Sequence, residues 1–264
     1  MLREPLVKRD FGKSGDFRWR SHEISRIEGL SDAVFAFAIT LLVVSLEVPK
    51  TFAELAETMR GFGAFAICFL LLFTVWLTQY KFFRRYGLQD GPTVWLNAAL
   101  IFVVLFYVYP LKFLFTFLVD KFTGGHGEVR LADGTVTTML DSVEQMAKLM
   151  LIFSAGYLAV FVVFVLLYHH AYRKRAELDL NELEVFDTRN SIRESALNCG
   201  VAILSIGIIV IGGANYAGVA GMIYMLTGVV MGVHGTISGK RRRKLEKSEP
   251  PTAAGRPPLD ATTK

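Results

Sequence analysis

At 264 residues, 52% of them hydrophobic, and with a mean hydropathy of +0.40, the chain is too apolar for a soluble domain. Its uncharged runs of about eighteen residues or more mark a polytopic membrane protein. The basic balance, 29 Lys and Arg against 24 Asp and Glu, collects at span boundaries, so lipid is the expected partner and nucleic acid is not. Cys68 and Cys199 both lie in apolar runs and imply no disulfide framework.

Residues 1–25 carry Arg3, Lys8, Arg9, Lys13, Arg18 and Arg20 and read as a flexible or interfacial basic arm. They hold no apolar run of the kind a cleavable signal peptide needs. The first span, RIEGLSDAVFAFAITLLVVSLEVP, runs from Arg26 to Pro49. At a rise of about 1.5 Å per residue, a helix from Arg26 to Glu47 covers about 30 Å, the thickness of the hydrocarbon layer. No polar stripe at helical spacing interrupts its apolar part. Its start is charged: Arg26, Ser31 and Asp32 stand at i, i+5 and i+6, too far round a helix to pair within one turn. Two readings fit that spacing. Either the side chains snorkel at a cytoplasmic boundary, or they bond to other helices, which relieves the cost of burial.

A second span follows over 61–80 and ends in KFFRR, a basic and aromatic boundary. Gly91-Pro92 breaks the chain before a third span over 94–119, which contains Asn97, Pro110 and Lys112. Residues 120–141, with Gly124, Gly125, Gly127 and Gly134, form a polar loop long enough to be a mobile cap. The fourth span covers 146–168, and the charged stretch 169–194 reads as a helical extension and a connector. Spans five (195–213) and six (217–237) meet at GGANYAG, and Gly228 and Gly232 form a G-x-x-x-G pair that permits close helix approach. Residues 245–264 are rich in Pro, Ala and Thr and read as disordered. The expected organisation is an arm (1–25), an all-α domain of six transmembrane helices (26–240) and a basic, then disordered, tail (241–264). No internal repeat of the first span is visible.

Segments 1–30, 81–93, 169–194 and 240–264 hold 7, 3, 5 and 8 basic residues, 23 of the chain's 29. The opposite loops hold Lys50, Arg60, Lys121 and Arg130. This bias puts the first set, and both termini, in the cytoplasm. Trp76, Gln79, Trp95, Asn97 and His234 then lie at about the depth of Asp32 and are candidate partners for Arg26, Ser31 and Asp32. Lys112 and Lys148 can snorkel outward. His169 and His170 are adjacent and point about 100° apart, a poor metal pair. The spans contain no candidate nucleophile, metal set or acid–base pair, so no enzyme, cofactor or metal site is expected. There is no TVGYG-like loop, so a carbonyl-lined filter is absent and any pore must be lined by side chains. Ala33, Phe37, Thr40 or Leu41, and Val44 recur along one face of the first helix, which by itself suits packing as well as a pore.

The pattern R-x-x-x-[F/L]-S-D, then F-A-x-x-I-T-L-L and a closing Pro, is met here by Arg26, Leu30, Ser31, Asp32, Phe35, Ala36, Ile39, Thr40, Leu41, Leu42 and Pro49. It resembles the signature of the endolysosomal potassium channels, the transmembrane protein 175 family, and their bacterial relatives. Leu30 stands where that family more often has Phe. The WLN…YPLKFLF pattern of the third span resembles the family's third helix. The resemblance implies a homotetramer passing potassium ions passively through the plasma membrane, with four first helices around a central pore. It places the constriction at Phe37, Leu41 and Val44, with Thr40 as a neighbouring polar layer, although Phe37 departs from the usual Ile or Leu. The rival expectations are a secondary transporter, which would favour midplane charges or paired halves, and a non-conducting scaffold.

The charge bias generates a topology prediction. A cysteine at Gly125 should react with an impermeant maleimide in intact cells, and one at Gln89 should not. Labelling of the second site alone would overturn the assignment.

Overall fold

A computed structural model of the chain describes residues 17–21, 23–44, 50–52, 55, 56, 59, 61–124, 127–130 and 135–248. Six long helices make up the fold: α1 (Arg26–Val44), α2 (Phe62–Tyr86), α3 (Gly91–Phe122), α4 (Val143–Arg173), α5 (Glu182–Gly212) and α6 (Ala217–Ser248). Helices α2 to α6 are each long and apolar enough to cross a membrane. The described part of α1 carries Arg26, Glu28 and Asp32 in its first two turns and is not among those five.

The helices outrun the apolar spans. α5 begins at Glu182, in sequence that hydropathy alone leaves to a connector, because Asn181 and Glu184 form a reciprocal capping box there. α6 continues through the basic run to Ser248, past the boundary expected at 240. The loop after α3 adds a short antiparallel ribbon, β1 (Glu128–Arg130) against β2 (Val136–Thr138), with Val129 opposite Thr137.

Neighbours in sequence are neighbours in space. α1 packs on both α2 and α3, α3 on α4, α4 on α5, and α5 on α6. The four largest fully buried side chains, Phe82, Phe83, Tyr86 and Phe164, stand on α2 and α4. Gly156 lets α3 and α4 come close: a Cβ there would stand 2.1 Å from the Tyr107 ring. Lys112 does not snorkel outward. Its ammonium donates to the Leu42 carbonyl at 2.7 Å, in the last turn of α1, where α1 has no basic residue of its own. Free carbonyls and the negative end of the helix dipole attract a cation to that position.

One cluster ties α3 to α4. Asp90 caps α3, accepting from the Thr93 backbone N–H at 3.3 Å, and its other oxygen meets His170 Nε2 at 2.7 Å and Lys174 Nζ at 3.2 Å. His170 is thus held by Asp90 and not merely placed at the interface. Burial alone would raise the Asp90 carboxyl, but hydrogen bonds from Thr93, His170 and Lys174 outweigh it and hold the group well below the usual range. A depressed folded value means the stabilisation is fully present above the unfolded value of about 3.9 and fades as pH falls below it. Asp90→Asn should therefore lower the melting temperature at pH 7 and lose less on going from pH 5 to pH 3 than the parent does. Identical acid limbs in the two melting profiles would contradict this.

Candidate functional site

α1 has two faces. Ser31, Phe35, Ala38 and Leu42 are buried at helical spacing against α2 and α3. Leu30, Ala33, Phe37 and Thr40 are exposed on the other side, Phe37 to 57%. Leu41, one turn on from Phe37, is half-buried and packs in part against the core. Val44 ends the described helix, and its side chain and Pro49 lie outside the described residues.

The charged start of α1 is organised by three helices. Glu28 is a cap: its carboxylate accepts from the Ser25 backbone N–H at 2.8 Å, and the Ser25 hydroxyl accepts from the Glu28 N–H at 3.2 Å. Ser31 donates its hydroxyl to the Ile27 carbonyl and accepts from Asn97 Nδ2, both at 2.8 Å. Asn97 Oδ1 in turn accepts from Gln79 Nε2 at 2.5 Å. Ser31, Asn97 and Gln79 are all buried, and the chain of donors from α2 through α3 to α1 satisfies them in series. Asp32 is held separately, accepting from Trp76 Nε1 at 2.7 Å.

Trp76 belongs to an aromatic ladder along α2. Phe62, Phe65, Phe69, Phe73, Trp76 and Tyr80 follow one another with ring centroids 5.3 to 6.2 Å apart. The ladder limits the rotamers open to the indole and aims its N–H at α1. A small open cleft lies beside it, lined in part by Glu28, Asp32, Gln79 and Arg84.

Trp95 and His234 do not join this network. Trp95, on the same helix as Asn97, is 78% exposed because two residues along a helix turn the side chain to another face. His234 lies on α6, its Nδ1 3.7 Å from Glu194 of α5. Arg26 is exposed and has no hydrogen-bond partner among the described residues. Among the described residues no group of three or more His, Cys, Asp and Glu side chains is placed to hold a metal ion.

Residues 26–107 match the family model described as endosomal/lysosomal potassium channel TMEM175. A Marivirga tractuosa protein named potassium channel is 41% identical over 238 residues, spanning 89% of this chain and 95% of the relative. The chain belongs to the TMEM175 family. Among solved TMEM175 structures, a crystal structure of a variant of the potassium channel MtTMEM175, complexed with a nanobody–MBP fusion protein, matches with a TM-score of 0.74. That match has 41% identity and covers 87% of this chain and 99% of the other. A lysosomal potassium-selective channel TMEM175 homolog from Chamaesiphon minutus, 20% identical, shares the fold with a TM-score of 0.51 over 81% of this chain.

The network makes a ranking prediction. Asn97→Leu leaves the Gln79 amide without its buried acceptor, at about 1–3 kcal/mol, and also removes the hydrogen bond that the Ser31 oxygen accepts. Trp76→Phe removes one bond to the exposed Asp32 and keeps the ring stack, so its cost should be about 1 kcal/mol. Melting of the purified protein in detergent should show the first variant clearly less stable. The reverse order would show that Asp32 and not Asn97 is the anchor.

Proposed function

We propose that the chain is a passive, potassium-preferring channel of the plasma membrane, a homotetramer in which four copies of α1 surround a central pore and both termini face the cytoplasm. The observation that carries this reading is the bare face of α1. Its back is packed on α2 and α3, while Phe37 and Thr40 are left exposed. A membrane helix whose outer face is only lipid-facing has no need for a polar Thr on that side. Around an axis the same face makes a neck. The relatives named potassium channel support the choice of ion.

Four phenyl rings from Phe37 would make the tightest ring, where water is repelled and an ion passes partly dehydrated. Potassium gives up its hydration shell more readily than sodium, which favours it without a carbonyl cage. Thr40 lies one turn further along. Its hydroxyl proton is engaged with the Phe37 carbonyl at 2.7 Å, which leaves the oxygen lone pairs to accept or to meet a cation. Dewetting of the Phe37 ring closes the path, so conduction and closure reside in the same short stretch. In sequence Val44, two turns past Phe37, is the candidate for a further apolar layer. Arg26, Ser31 and Asp32 act as supports of the helix and not as the narrowest point.

Planar-bilayer recording from purified protein tests this under bi-ionic potassium and sodium conditions. Phe37→Asn should hydrate the neck, raise basal current severalfold and move the reversal potential toward zero. Met222→Asn, on the exposed side of α6, is the control and should leave both unchanged. Ala38 cannot serve as control because it is fully buried in the core. Parental behaviour in Phe37→Asn would place the neck elsewhere. Potassium flux that requires a second, coupled solute would indicate a transporter.

A further inference from the structure

The sequence Phe17-Arg18-Trp19-Arg20, read as part of a flexible or interfacial arm, is docked. Phe17 is buried edge-on to Tyr86 with ring centroids 5.5 Å apart, and the Arg85 guanidinium lies over its face at 4.9 Å. The Arg20 backbone N–H donates to the Arg84 carbonyl at 3.1 Å, running the arm alongside the end of α2. Gly87 ends α2 there with a φ of +61°, a left-handed conformation that favours glycine and turns the chain beside the arm.

The arm is fastened across the bundle by Glu184, at the start of α5, whose side chain is 1% exposed. Arg20 grips this carboxylate with both terminal nitrogens, at 3.2 and 2.7 Å. Arg18 adds its backbone N–H at 2.9 Å and Nη2 at 3.3 Å. Arg20 also donates to the carbonyls of Leu178 and Asp179 in the α4–α5 connector, at 2.8 and 3.2 Å. A buried charge held this way is paired and its oxygens are filled, which is the condition for such a group to be stable at all. α1 begins at Arg26, just beyond the fastened segment, and packs on α2 and α3. The arm therefore adds a direct tie between the start of α1 and the half of the bundle made by α4 and α5.

We infer that Arg18, Arg20 and Glu184 form a clamp that positions α1 and thereby sets the open probability of the channel, leaving its choice of ion to the neck. This rests on the reading of α1 as the pore helix. Arg20 and Glu184 are positioning residues: they act on the ion path only through the helix they hold.

The test uses the full chain with Arg20→Gln, Glu184→Gln and the double variant. Single-channel open probability and bi-ionic reversal potential are read in bilayers, and amide hydrogen exchange of residues 17–21 is read in detergent. Each single variant should change open probability about tenfold, the worth of a lost charged hydrogen bond. The double variant should change it no further, because both substitutions break the same clamp. Exchange protection of residues 17–21 should fall in every variant, and the reversal potential should stay at the parental value. Arg20→Lys keeps the charge without the fork and should fall between parent and Arg20→Gln, which keeps the test open if Glu184→Gln does not fold. Loss of protection with parental open probability would overturn the inference, as would additive effects or a shifted reversal potential. Unchanged protection would show that the clamp does not hold the arm. A parent that passes no ions would overturn the pore reading and the gating role with it, while the exchange data would still report whether the clamp exists.

Discussion

Asn97 has an amide nitrogen and an oxygen turned into a part of the bundle that neither water nor lipid serves, and both have a partner there. That constraint organises the rest. Lipid tails are as apolar as leucine, so bringing two apolar helices together in a bilayer gains little from the hydrophobic effect. What fixes α1 against α2 and α3 is close packing of Phe35, Ala38 and Leu42 together with the few polar groups that must find each other. Asn97 could not be buried without Gln79 and Ser31 to take up its amide. Once those bonds fix the rotation of α1, Phe37 and Thr40 have only one direction left.

Depth along the membrane is legible in a hydropathy profile, and direction around a helix is only partly so. The span positions put Trp76, Gln79, Trp95, Asn97 and His234 at one level, and the structure brings Trp76, Gln79 and Asn97 onto Ser31 and Asp32. Depth ignores the turn of the helix that points Trp95 and Asn97 to different faces. Equal depth also says nothing about which helices touch: His234 is on α6, which packs on α5 and α4. Glu184 was invisible for another reason. In sequence it is one of several carboxylates in a charged stretch, and its partners lie far off in the N-terminal arm. Lys112 looked like an ordinary boundary lysine because its partner is a backbone carbonyl, which leaves no mark in the sequence.

The charged stretches are also where the helices run on beyond the lipid. α5 and α6 extend together, joined by Ser238 on Asn190 at 2.6 Å and Arg242 on Asp187 at 3.1 Å. The Arg242 and Asp187 side chains are only partly exposed, and the pair prolongs the packing of two helices into water that would otherwise fray their ends. The same face of the molecule carries the Asp90 cluster and the Glu184 clamp. The apolar part of the fold thus supplies shape, and the polar groups at one end supply its register.

The clamp also bears on the order in which the protein is made. Arg18 and Glu184 are 166 residues apart in sequence. At synthesis rates of about 5–20 residues per second, roughly ten to thirty seconds separate their emergence from the ribosome. During that interval α1 must already lie in the bilayer, with Asp32 waiting for Trp76 and Ser31 for Asn97. Trp76 and Asn97 follow Asp32 and Ser31 by 44 and 66 residues, so α1 is seated on α2 and α3 well before Glu184 emerges to fasten the arm in front of it.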